Sequence, residues 1–214
     1  MENSWPSIVF IYFYYRAIIN VNNQARIISQ SSTCGGTLLD KTTVVTAAHC
    51  ILNRISYRDP GTNQMNYYTV VPNSFHPTYG SMYSVFLGIH GRPSSPSGGL
   101  KVAHVIKHED YDDINTLNDI AILKLTNNAV LGKTVQVACL PPLSNFYPRP
   151  ERTIYAGGWG TLSVGGSLAN TLMDVELTIY DPKHCLNVDR GSRKDFNSQI
   201  CAGDLSGQRD TCQG

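Results

Sequence analysis

The sequence predicts an all-β fold, a sandwich or barrels. Three observations carry this reading: short runs of β-branched and aromatic residues, punctuation of those runs by Gly, Pro, Asn and Ser, and a scarcity of helical periodicity. In chain order, the first run is 8–19, rich in Tyr, Ile and Val, which reads as a strand turning near Asn22 and Asn23. Further runs follow at 42–47, 84–87, 101–106, 120–125, 153–156 and 172–179. Gly157-Gly158-Trp159-Gly160 reads as a tight turn where backbone approaches closely. Asp181 is a candidate N-cap with Pro182 at the first helical position, which predicts a short helix ending at Cys185. Composition shifts in two places. The stretch 52–83, with Asp59-Pro60-Gly61, Pro72 and Pro77, reads as a long loop, and 141–152 reads as a linker between two halves.

A chain of 214 residues fits one all-β domain and is long enough to bury a core. Lys and Arg total 17 against 16 for Asp and Glu, a net charge of +1, so no long-range field attracts a nucleic acid or an anionic membrane. The expectation is therefore no nucleic-acid and no membrane partner, and the cluster Arg190, Arg193, Lys194 reads as a solvated loop. There is no phosphate-binding glycine loop, no C-x-x-C spacing and no internal repeat. The scattered histidines His76, His90, His104, His108 and His184 form no metal spacing, and no cofactor or metal is expected.

The cysteines are more informative. Cys34 and Cys50 are 16 positions apart, as are Cys185 and Cys201. Closing a loop of that size contributes about 3 kcal/mol in the chain-entropy account. Such bridges persist outside the reducing cytosol, so a secreted, extracellular protein is expected. No signal peptide supports that directly. Glu2 precedes the apolar run 8–19, Arg16 interrupts it, and the run is too short to span a membrane. The natural start is expected to lie upstream of Met1.

Three motifs carry chemistry. Val44-Val45-Thr46-Ala47-Ala48-His49-Cys50 puts a histidine at the end of a strand, beside a cysteine able to hold its backbone. Asn118-Asp119-Ile120-Ala121-Ile122-Leu123 sets a carboxylate at the head of an apolar strand. Asp210-Thr211-Cys212-Gln213-Gly214 closes the chain. Activating a hydroxyl nucleophile needs a base that titrates near neutrality, which imidazole supplies, and a carboxylate to hold the ring in one tautomer.

In that order the motifs resemble the trypsin/chymotrypsin-type serine-protease family. The resemblance runs from Trp5 to Gly214 and implies two antiparallel six-stranded β-barrels, the first over about 1–130 and the second, incomplete, over about 131–214. It implies His49 as general base, Asp119 as its orienting carboxylate, and disulfides Cys34–Cys50 and Cys185–Cys201. It places Asp210 at the bottom of the pocket for the side chain before the cleaved bond. A carboxylate there, largely shielded from water, calls for Arg or Lys in a protein or peptide substrate. Gly214 would give a backbone N–H to the oxyanion hole.

The resemblance also implies missing parts. The nucleophilic serine falls two residues beyond the last motif, past Gly214, and an Ile-Val-Gly-Gly type N-terminus is absent ahead of Asn3. The chain is thus expected to be a fragment, inactive as it stands. Cys139 is expected to bond an upstream domain or light chain, and Ile89 stands where a calcium-loop glutamate would be. The alternative is a non-catalytic homologue serving as a binding or regulatory module, but such a role does not require His49, Asp119 and Asp210 together.

Overall fold

Antiparallel pairing of β-forming segments closes the main sheet. In the computed structural model, which describes residues 5–21, 24–52, 54–59, 61–69, 80, 82–141, 148–188 and 193–211, β1 (Ile8–Val21) pairs antiparallel with β2 (Gln24–Asp40) over its whole length. Next come β3 (Thr43–Thr46), β4 (Arg54–Arg58), β5 (Met65–Thr69), β6 (Tyr83–Leu87), β7 (Leu100–Lys107) and β8 (Ala121–Leu125). Strands in the order β1-β2-β3-β8-β7-β6 form a closed barrel, sealed by pairing of β6 back onto β1 from Val9↔Leu87 to Phe13↔Tyr83.

Period-two alternation fills the barrel. Along β8, Ala121, Leu123 and Leu125 are buried while Ile122 and Lys124 between them are less so. They meet Val9, Ile11, Phe13, Leu38, Val44 and Val85 in one apolar core. Each such side chain taken out of water contributes about 1.5–3 kcal/mol. The β2–β3 turn is built by Asp40, whose Oδ1 accepts from the Thr42 N–H (2.7 Å) and hydroxyl (3.0 Å).

A second sheet of three strands follows: β9 (Thr153–Gly158), β10 (Met173–Ile179) and β11 (Ala202–Gly203), with β10 in the middle. It meets the barrel through Trp159, whose ring stands edge-on to Phe10 at 5.3 Å and whose indole N–H donates to the His90 carbonyl. The architecture is thus nearly all β, with one closed six-stranded barrel and a less complete second sheet, as expected. Two 3-10 turns, Ala48–Cys50 and Pro182–His184, interrupt the strands. The second starts as the sequence predicts, with the Asp181 carboxylate accepting from the Lys183 N–H.

Two expectations need correction, and one strand was not foreseen. The segment 52–83 contains the β4–β5 hairpin, so it is not all loop. Its β-forming Ile and Tyr residues pair across a turn organised by Asp59, whose Oδ1 accepts from the Gly61 and Thr62 N–H groups. Residues 24–40 form the 17-residue β2, which the polar run Gln30-Ser31-Ser32-Thr33 conceals; pairing with β1, not alternation, makes it a strand. Finally, Gly157 and Gly158 end β9 instead of forming a turn. The close approach is real at Gly157, where a Cβ would lie 2.7 Å from Ile8 Cδ1. Asn22, Asn23 and 142–147 of the expected linker lie outside the described residues.

Candidate active site

The β3–β8 register brings two distant motifs together. Thr46 at the end of β3 faces Ala121 at the start of β8, so the residues just after β3 and just before β8 meet at one rim of the barrel. His49 sits in the 3-10 turn, closed by the Cys50 N–H on the Ala47 carbonyl and the Ile51 N–H on the Ala48 carbonyl. The Cys34–Cys50 disulfide fastens that turn to β2, and the Thr46 hydroxyl adds a bond to the Gly35 carbonyl at 2.8 Å. Asp119 is aimed by Asn118, which adopts the left-handed region (φ 54°) and donates its side-chain amide to the Asp110 carbonyl at 3.0 Å. Asn tolerates that conformation better than most side chains.

Asp119 receives His49 twice. The His49 backbone N–H donates to Oδ1 at 2.8 Å, and His49 Nδ1 lies 2.7 Å from Oδ2. A carboxylate only accepts, so the neutral imidazole carries its proton on Nδ1 and leaves Nε2 as the basic nitrogen. The Asp119 side chain is 19 % exposed and that of His49 is 58 % exposed, so the carboxylate is sheltered behind an imidazole that faces solvent. Such an arrangement can take a proton from an approaching hydroxyl and hold the resulting imidazolium.

Cys34, His49 and Cys50 also lie close together, with Cys50 Sγ 3.6 Å from Nε2. Both sulfurs are spent in the disulfide, so the group braces the ring and offers no thiolate to a metal.

Two residues beside Asp119 were not singled out from the sequence. Lys107 stands 4.3 Å over the Tyr111 ring. Burial pushes the Lys107 ammonium down, while Asp113 and Asp119 pull it back up. Burial raises the Tyr111 phenol, and the negative charge of Asp119 adds to that.

Asp210 borders another cleft of about 580 Å³, lined by the end of β9, residues 160–164 (Thr161 among them), the start of β10 and the segment Gly207–Thr211. Its carboxylate accepts from the Thr211 N–H at 2.7 Å. Contrary to the expected shielding, Asp210 is exposed, because loops and a sheet end line this cleft instead of enclosing it. The neighbouring Arg209 is drawn 3.7 Å from Glu176. Cys185–Cys201 forms the second disulfide, bridging the end of the 3-10 turn to the residue preceding β11. Cys139 is exposed and outside both bridges. Gly214, Cys212, Arg190 and His76 lie outside the described residues.

With this geometry in place, comparisons with known proteins are specific. A family model described as Trypsin matches residues 13–214. The chain is 31 % identical over 181 residues to transmembrane protease serine 11G of Mus musculus, covering 85 % of this chain and 37 % of that protein. It is 28 % identical over 213 residues to transmembrane protease serine 11C of Mus musculus, covering 100 % and 40 %. Among solved structures it is similar to neuropsin, a serine protease expressed in the limbic system of mouse brain. That match has 27 % identity and a TM-score of 0.66, covering 100 % of this chain and 76 % of the other.

The chain therefore spans well under half the length of these two transmembrane relatives. Their names overturn the expectation of a secreted protein without a membrane partner, which rested on disulfide spacing. Disulfides report an oxidising compartment and do not distinguish a free protein from an anchored one. No helix among the described residues is long and apolar enough to cross a membrane.

Proposed function

The chain belongs to the trypsin family of serine proteases, and from that premise we propose that the protein carrying it is a serine endopeptidase that cleaves after Arg or Lys. The observation that carries this reading is the double attachment of His49 to Asp119. His49 Nε2 takes the proton of a serine hydroxyl as that oxygen attacks the peptide carbonyl, then returns it to the leaving amine. Asp119 keeps the proton on Nδ1 and stabilises the imidazolium between those steps.

In this reading the nucleophilic serine belongs to the longer protein that carries this chain. The 214-residue chain alone is accordingly expected to be inactive. In this reading the chain divides near residue 130, with a first barrel before that point and a second after it.

Asp210 supplies the basic specificity. It borders a cleft, and the cation beside it in sequence, Arg209, is drawn to Glu176 instead, which leaves the carboxylate for a substrate Arg or Lys. The longer protein is held at a membrane, as the names of its relatives suggest, and the exposed Cys139 is the attachment point for an upstream segment.

The test is cleavage of fluorogenic peptides by the full-length protein. His49→Ala is expected to lower kcat roughly 10⁶-fold and Asp119→Asn about 10⁴-fold. Asp210→Ser is expected to remove the preference for Arg and Lys over neutral residues. Turnover that survives His49→Ala, or an active protein that ignores basic residues, would overturn the corresponding assignment.

A further inference from the structure

A second cleft, of about 410 Å³, lies between the barrel and the loops of the second sheet and plays no part in the chemistry above. Tyr12 of β1 and Ser31, Ser32 and Thr33 of β2 line one side; Arg92 and Thr161 line the other. The far wall is held by main-chain contacts. The Arg92 N–H donates to the Asn170 carbonyl at 2.7 Å, and Thr161 bridges to Leu168.

Two polar atoms at this cleft are buried without a hydrogen-bond partner among the described residues: Arg92 Nε and Thr161 Oγ1. Leaving such groups unmet costs about 1–3 kcal/mol each, so a native structure normally satisfies them with something. The Arg92 guanidinium is always charged and presents a fork of N–H groups that matches a carboxylate. Among the described residues its one side-chain hydrogen bond runs from Nη to the neutral Asn170 Oδ1 at 3.4 Å, and no acidic residue is among those lining the cleft. A cation, a buried hydroxyl and five further hydroxyl residues around a cavity with no acidic lining among the described residues select an oxyanion. Thr33 in the cleft lining directly precedes Cys34, whose disulfide partner Cys50 follows His49.

We propose that this cleft binds the carboxylate of an Asp or Glu side chain on a polypeptide held at the His49 site, with Arg92 as its charge partner and the Thr161 hydroxyl as a second donor. The polypeptide part rests on the protease reading above; the carboxylate site rests on the cleft itself.

The experiment uses the full-length protein carrying His49→Ala, so that no peptide is consumed. Labelled peptides contain one Arg before the bond and a single Asp, or Asn in its place, moved through four positions on each side. Fluorescence anisotropy is expected to show at least one Asp peptide binding about tenfold tighter than its Asn twin. That ratio falls to about one with Arg92→Gln, is partly kept with Arg92→Lys, and drops about threefold with Thr161→Ala, which spares the charge.

Equal binding within every Asp/Asn pair, or a preference that survives Arg92→Gln, overturns the site. The two readings fail separately. An Asp preference in a protein whose unmutated form cleaves nothing would sink the protease reading and keep the cleft. Cleavage without any Asp preference would do the reverse.

Discussion

The barrel and the three-stranded sheet are built from the same kinds of strand, yet they end in different states. In the barrel, β6 returns to β1, every strand has two neighbours, and Val9, Leu38, Val44 and Leu123 have essentially no exposed surface. In the second sheet, β9 and β11 have no outer strand beside them among the described residues, and burial is concentrated in Leu177, Ile179, Trp159 and Cys201. Around that sheet Leu162, Val164, Leu186 and Leu205 are largely exposed. Strand chemistry sets which residues can be buried, but closure sets whether they are. His49 and Asp119 sit at the rim of the closed element, and Asp210 beside the open one. Correspondingly, the first pair is held by several bonds, whereas among the described residues the Asp210 carboxylate has one bond, from the next residue's N–H.

Deleting the same side chain in the two regions would break this comparison most directly. Leu123→Ala is expected to cost about 2–5 kcal/mol, because a closed barrel cannot collapse into the cavity. Leu177→Ala is expected to cost roughly half as much, because an open sheet relaxes more freely. Equal losses in chemical denaturation of the 214-residue chain would show that closure does not govern the difference.

Disulfides sharpen the comparison. Both bridges span 16 residues, so replacing either pair by Ser should cost a similar amount, about 3 kcal/mol. Only loss of Cys34–Cys50 should shift the His49 ring resonances, since only that bridge holds the His49 turn. Shifts of the same size from the Cys185–Cys201 variant would contradict the separation of roles.

A smaller effect distinguishes two adjacent glycines in β2. A Cβ on Gly36 would lie 2.9 Å from the Val45 carbonyl oxygen inside the barrel wall, whereas one on Gly35 meets nothing within 4 Å. Gly36→Ala should therefore destabilise by about 1–3 kcal/mol and Gly35→Ala by little, as thermal melts would report.

The smallest expected effect is at Asp40. Hydrogen bonds from the Thr43 hydroxyl first, and then from the Thr42 N–H, hold its carboxyl down from 3.8 to about 2. A depressed folded pKa gives stability that is fully present above 3.8 and is lost as pH falls toward 2. Because the carboxylate is exposed, the contribution is about 1 kcal/mol or less. Asp40→Asn should flatten the pH dependence of stability in that window; an unchanged slope would remove Asp40 from the account.

Legibility in the sequence followed the range of the interaction. The strands at 42–47, 101–106 and 120–125 were readable because their alternation or β-branched content is local, and the 3-10 turn at Pro182 was readable because its cap is two residues away. β2 was not, because its Ser, Thr and Gln residues become a strand only against β1. The β4–β5 hairpin was hidden by the Pro, Asn and Asp residues around it, which read as loop. At the candidate site, His49 and Asp119 stood out by motif, and Cys34 and Cys50 by spacing. Lys107, Tyr111 and Asn118 gave no separate signal, since their relation to Asp119 depends on how one loop folds back on itself.

By itself, then, the sequence determined the strand-forming segments, the cysteine spacing and the presence of a histidine and a carboxylate at strand ends, all properties of neighbouring residues. Only the tertiary structure decided that residues 49 and 119, 70 positions apart, lie 2.7 Å from one another, and that Arg92 and Thr161 share one cleft. Those proximities come from β3–β8 register and barrel closure, and pairing between distant strands is recorded in no local stretch of chain.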